Sequence, residues 1–200
     1  MTGPTKITVG RYNYLCNGQL TNCVTQPSTQ QRLDAQGDKL MQRLAYRNFG
    51  EHASLVITHS VNGPSGGGAL RWYELRLSAA GDPILVQQSS YAPDTMYRWM
   101  GSAAMDKQGG IAIGYSFGGA PNFPGQRFMG RLASDPLGTL TFKETVLVAG
   151  QDAQTDTLRW QDFTTMVVDP SDDLTFWYVG NYLKTGASTP STRIGSIRLP

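Results

Sequence analysis

The chain has 200 residues, enough for one domain with a proper hydrophobic core. Apolar residues make up 40% and charged residues only 16%, below the usual charged share of about 25%, and there are 23 glycines and 11 prolines, which favours many short strands over a helical bundle. A net charge of +2 on scattered arginines and few lysines leaves no basic footprint for nucleic acid, and no apolar stretch approaches the ~20 residues of a membrane span.

Residues 1–10 lack the apolar stretch of a signal peptide, so an exported protein with this sequence is expected to carry its signal upstream. Residues 5–12 alternate in polarity and are expected to form a strand. That strand either completes the last repeat unit or is the outer strand of a preceding one. Cys16 and Cys23 bracket a short polar loop containing Asn17-Gly18 and Thr21-Asn22, which reads as a local disulfide formed in an oxidising compartment. The competing readings are two free thiols or half of a metal site, for which His52 and His59 are the only histidines. Residues 27–38 are polar and weakly patterned, and read as a long connection, with a short helix over 30–36 as the alternative. Residues 1–42 thus form a strand, a disulfide loop and a connection.

From residue 43 the chain repeats. Arg43-Leu44-Ala45-Tyr46, Arg98-Trp99-Met100-Gly101 and Arg159-Trp160-Gln161-Asp162 fall at intervals of 55 and 61 residues, and an apolar strand follows each. Third strands open with Arg71, Arg127 and Arg193, and fourth strands run over 83–88 and 144–148. Between the first two strands, Asp106 in the second unit and Asp169 in the third open a tight turn, because an aspartate can bond its own backbone there. The first unit has Asn48-Phe49-Gly50-Glu51-His52 instead. Four antiparallel strands per unit is the plan of a propeller blade, so the fold class expected is all-β, a partial β-propeller of about three blades over 43–95, 96–156 and 157–200. Three blades do not close a ring, which usually takes about four to eight. The chain is therefore expected to be the C-terminal part of a longer propeller, or to assemble with other copies.

The loops 62–68, 117–126 and 181–192 share one rim with the connections into the next unit, and variable loops on a rigid frame are where binding is expected. Arg43, Arg98 and Arg159, beside Trp99 and Trp160, enter the first strands from that rim and are candidates to grip a carboxylate or sulfate at the mouth of an axial channel. The structural alternative is that each arginine pairs with Asp94, Asp156 or a backbone carbonyl, or stacks on the tryptophans. Glycoside hydrolysis needs two facing carboxyls or a tyrosine backed by an acid, for which Asp162, Glu51, Asp94 and Tyr46 are the candidates near the rim. Asp169, Asp172 and Asp173 offer oxygen ligands for Ca²⁺, or simply stabilise their turn. Tyr91, Tyr97, Phe117, Phe123 and Tyr182 can stack on a sugar or a peptide, or fill the space between sheets.

The arginine arrangement resembles the cluster of sialidases, although the chain has neither an Arg-Ile-Pro motif nor a strict Asp box. Residues 46–50, 69–76, 97–102 and 129–138 are similar to the C-terminal part of a family of secreted bacterial β-propeller proteins, a likeness spanning about four fifths of the chain. That resemblance implies the fold and an extracellular setting, and carries over no catalytic residue. The function expected is a non-catalytic binding or scaffold module that presents its loop rim to a glycan or an extracellular protein. The rivals are a portion of a sialidase-like glycoside hydrolase and an oligomerising propeller fragment. No cofactor is expected apart from the candidate Ca²⁺.

Overall fold

The computed structural model describes residues 4–18, 22–41 and 43–200. Thr21 of the expected inter-cysteine turn and the boundary at residue 42 fall outside these. The described residues form four antiparallel sheets. A small one pairs β1 (Asn22–Val24) with β2 (Leu33–Asp34). The first large sheet runs β3 (Ala45–Asn48), β4 (Ala53–Asn62), β5 (Gly68–Leu77) and β6 (Pro83–Tyr91) in sequence order. The second runs β7 (Tyr97–Met105), β8 (Ile111–Gly119), β9 (Asn122–Arg131) and β10 (Phe142–Val148), and the third has β11 (Thr165–Val168), β12 (Thr175–Tyr182) and β13 (Ser191–Arg198).

The repeat therefore marks real sheets, and its turn chemistry explains their first hairpins. The Asp106 carboxylate accepts the backbone N–H groups of Gln108 and Gly110, both at 2.8 Å. Asp169 likewise accepts from Ser171 at 2.8 Å. In the first sheet Asn48 takes the same part by accepting the Gly50 N–H at 2.8 Å, with Gly50 at φ 84°, an angle that suits glycine.

The three large sheets pack face to face in chain order. Successive side chains of a strand point to opposite faces. Ile111, Ile113 and Tyr115 of β8 accordingly join Val56, Leu70 and Trp72 of the first sheet in one core. Ala112 of β8, with Phe128 of β9, joins Phe176, Tyr178 and Ile197 of the third sheet in another. Gly114 leaves the space that the Tyr178 ring occupies, since a Cβ there would lie 2.3 Å from it. The strands β3, β7 and β11 come side by side and line a cavity of about 230 Å³. At the end of that cavity Arg47 of the first sheet pairs with Asp173 of the third at 3.2 Å.

The N-terminal segment departs from expectation. Residues 5–12 form no strand and do not complete the third sheet, which stays three-stranded among the described residues. They lie instead across the outer face of the first sheet. The Gly10 N–H donates to Gln88 Oε1 at 2.9 Å, and Arg71 Nη2 donates to the Gly10 carbonyl at 3.0 Å. No helix forms over 30–36, because Leu33 and Asp34 pair as β2 and the Asp34 N–H is drawn to the Leu158 carbonyl at 2.8 Å. Cys16 and Cys23 are disulfide-bonded, with Cα atoms 5.5 Å apart. Rather than a mere connection, the segment is a cover. Its Leu15, Val24, Leu33, Ala35 and Met41 form a third core with Trp99, Met100, Trp160 and Leu183 over the loop end of the sheets. No helix among the described residues is long and apolar enough to cross a membrane.

Candidate functional site

The cover decides where the repeated arginines go. The space over the starts of β7 and β11 is filled by apolar side chains of the N-terminal segment, so Arg43, Arg98 and Arg159 do not converge on an open mouth. Arg98 is fully buried. Its guanidinium donates two bonds to Asp94, at 2.8 and 3.0 Å, and two to Glu144, also at 2.8 and 3.0 Å. Tyr91 and Phe117 flank it at 5.3 and 5.1 Å. Arg159 is exposed and paired with Asp162. Arg43 is exposed too, at the wall of the cavity between the first strands, alongside Tyr46, which is 58% exposed. Trp99 and Trp160 are sealed in the core with ring centroids 6.1 Å apart, so they offer no surface to a ligand.

The weaker candidates also separate. Asp162 accepts a bond from Gln36 at the loop end, whereas Glu51 lies in the β3–β4 turn at the other end of the strands, so the two do not face each other across a cleft. Asp172 accepts from the N–H groups of Leu174 and Thr175 and from the Thr175 hydroxyl. Asp169 takes the Trp177 indole N–H at 2.9 Å, and Asp173 takes Arg47. Those carboxylates hold the turn. Among the described residues, no group of three His, Cys, Asp or Glu is placed to hold a metal ion.

Residues that the repeat did not single out form the densest polar constellation. Glu144 on β10 receives Arg98, Arg127 at 3.0 Å and the Tyr115 hydroxyl at 2.6 Å. A tyrosine beside a carboxylate and two arginines has the composition of a tyrosine-nucleophile glycosidase. Its electrostatics run the other way. Burial and the Glu144 charge push the Tyr115 hydroxyl well above its usual range, so the nucleophilic phenolate is suppressed. Burial also pulls Glu144 up, but the bonds from Arg98 and Tyr115 outweigh it and hold the carboxyl below its ordinary value. With Tyr115 wholly enclosed between the first two sheets, this network is a strut that ties β7, β8, β9 and β10 together.

Beside the strut, a pocket of about 190 Å³ opens at the loop end, under the β8–β9 hairpin. Phe123, Asn122, Arg127 and Val146 line it with Phe117. Arg127 is the hinge between strut and pocket, because its guanidinium lies 3.3 Å from the centre of the Phe117 ring while one nitrogen holds Glu144. Gly125 and Gly150 let the backbones close the wall, as a Cβ on Gly125 would come within 2.5 Å of the Val148 carbonyl. Phe117 and Phe123 are visible in the sequence as loop aromatics. Glu144 was missed because a single acid in an exposed-looking outer strand carries no local signal of two distant arginines.

Comparison of the chain with protein-family models, with curated proteins and with solved structures finds no match, so the roles of these residues rest on geometry.

Proposed function

We propose that this protein is an extracellular, non-catalytic binding module of propeller-like build, and that the pocket beneath the β8–β9 hairpin takes a sugar ring. Three meandering sheets stacked face to face, with their first strands side by side, support the propeller reading. The disulfide supports the oxidising setting. The observation that carries the sugar reading is the lining itself. A half-buried phenyl ring beside the amide of Asn122 and a planar guanidinium matches the apolar face and hydroxyl edge of a pyranose. The absence of turnover in this reading follows from the Tyr115–Glu144 pair, whose hydroxyl no substrate reaches.

A glycan array followed by calorimetry with the best hit tests this reading. Phe123→Ala should weaken binding by about tenfold or more while leaving the circular dichroism spectrum unchanged, since truncating a stacking aromatic removes on the order of 1–2 kcal/mol. A hit that binds the Phe123→Ala variant as tightly as the parent, or hydrolysis of a fluorogenic glycoside by the parent, would refute it.

A second reading rests on the outer face of the third sheet, where Trp177 and Ile194 stand exposed. A second copy stacked there adds sheets to the row. Sedimentation equilibrium tests it, with a purely monomeric mass at high concentration as the refuting result.

A further inference from the structure

The first and second large sheets each carry a fourth strand, and among the described residues the third sheet has none. In the two complete sheets the fourth strand holds an arginine of the third, and it does so in the same register. Arg71 of β5 stands opposite Ser90 of β6, and it donates to Ser90 at 3.1 Å and to Gln88, two residues before it. Arg127 of β9 stands opposite Val146 of β10, and it donates at 3.0 Å to Glu144, again two residues before. A partly buried apolar residue comes two positions earlier still, Val86 in one strand and Phe142 in the other. Both fourth strands thus read apolar residue, any residue, then a side-chain oxygen for the arginine.

Arg193 is the matching residue of β13. It shares a face with Ile197, which packs toward the second sheet, as Arg127 shares a face with Met129, which packs toward the first. Arg193 is exposed, and among the described residues it makes no hydrogen bond, ion pair or ring contact. The strand edge beside it is open too. All eight residues of β13 pair with β12 without a register shift, and no backbone group of the strand bonds to any other part of the described chain. A regular edge of unpaired N–H and C=O groups is a template for a further strand, and β13 carries neither proline nor bulge to blunt it.

We propose that the free edge of β13 takes an extended segment of a partner polypeptide, running antiparallel, with a glutamate that pairs with Arg193 and an apolar residue two positions before it. The register of the complete sheets puts that glutamate opposite Gly195, which has no side chain to come between it and the guanidinium. Both charges of β13 are positive, and Arg198 is already paired with Asp172 at 3.5 Å, so charge complementarity selects an acid for Arg193 over the glutamine of β6. The edge is separate from the outer face that bears Trp177 and Ile194, and its occupation needs no second copy stacked there.

The probe is a fluorescently labelled peptide, Phe-Lys-Glu-Thr-Val-Leu-Val, the sequence of residues 142–148, which carries this pattern. Anisotropy with the whole chain should show saturable binding at one site. Replacing the peptide's glutamate by lysine, or Arg193→Glu in the protein, should each weaken binding by about fivefold or more, and the two changes together should restore it. Because Arg193 is exposed and unpartnered, Arg193→Glu should melt with the parent, so lost binding is not lost folding. Bound peptide should slow hydrogen exchange in β13 and leave β9 and β10 as they were, which separates addition at the edge from displacement of β10. No saturable binding, equal binding by Arg193→Glu, no recovery in the double exchange, or protection confined to another strand would each overturn the proposal. Sugar binding in the hairpin pocket should be the same with and without the peptide, so the two sites fail or succeed independently.

Discussion

Arg98 and Arg159 hold equivalent places in the repeat and meet opposite surroundings. The first is enclosed between two carboxylates and two aromatic rings, and the second sits in water against one aspartate. Removing Arg98 takes two charge-assisted bonds from Glu144, which keeps only Arg127 and the Tyr115 hydroxyl, so the cost approaches but stays below the figure of about 3–5 kcal/mol for stranding a buried charge outright. Arg98→Ala should therefore lower the urea midpoint sharply, while Arg159→Ala should leave it where it is. Equal effects would show that the strut is not structural. His59 gives a residue-scale prediction in pH. Burial, then the Arg71 charge, lowers its pKa from 6.5 to about 4, and it faces Tyr73 at 3.0 Å and the edge of Tyr12. The unfolded chain takes up this proton near pH 6.5 and the folded chain only near 4. The stability tied to neutral His59 is thus complete above about pH 6.5 and is lost as the pH falls towards 4, by at most about 3 kcal/mol. Denaturation midpoints for His59→Gln should show a flatter slope than the parent across that window.

At the scale of elements, the sheets were legible and the cover was not. Turn aspartates and period-two strands are local signals, so Asp106, Asp169 and the strand that follows each could be read directly. Leu15, Val24, Leu33 and Ala35 are single apolar residues in a polar stretch, and nothing local says that they meet Trp99 and Trp160 more than 60 residues away. The arginine rim failed for the same reason, since its mouth is filled by a segment whose packing is entirely non-local. Gly114 is another long-range requirement hidden in a small residue. Its place opposite Tyr178 admits no methyl group without displacing the ring. Gly114→Ala should destabilise by about 1–3 kcal/mol or more through overpacking, read as a lowered melting temperature. An unchanged melting temperature would mean that the second and third sheets do not interlock at this point.

The molecule as a whole is a row of three sheets: the middle one is enclosed by its neighbours, the first is crossed on its outer face by the N-terminal segment, and the third leaves its outer face open. Every residue of β8 from Ile111 to Gly119 is buried, whereas Trp177 of β12 is 41% exposed and Ile194 of β13 more so. The N-terminal cover ties the row together at one end. It reaches the first sheet where the Asn62 N–H meets the Asn13 carbonyl, the second where Ala120 meets Thr25, and the connection to the third through paired Gln26 and Gln154. Regions with one open face and few cross-sheet contacts open locally at lower free energy than the fully enclosed centre. Hydrogen exchange should therefore rank the amides, with β8 slowest, β4 and β5 intermediate and β13 fastest. Reducing the Cys16–Cys23 bond should loosen the cover first and speed exchange at Asn62, while β8 keeps its protection. If β13 exchanges as slowly as β8 in dilute solution, its outer face is covered there, and the second-copy reading gains the support that the isolated chain does not supply.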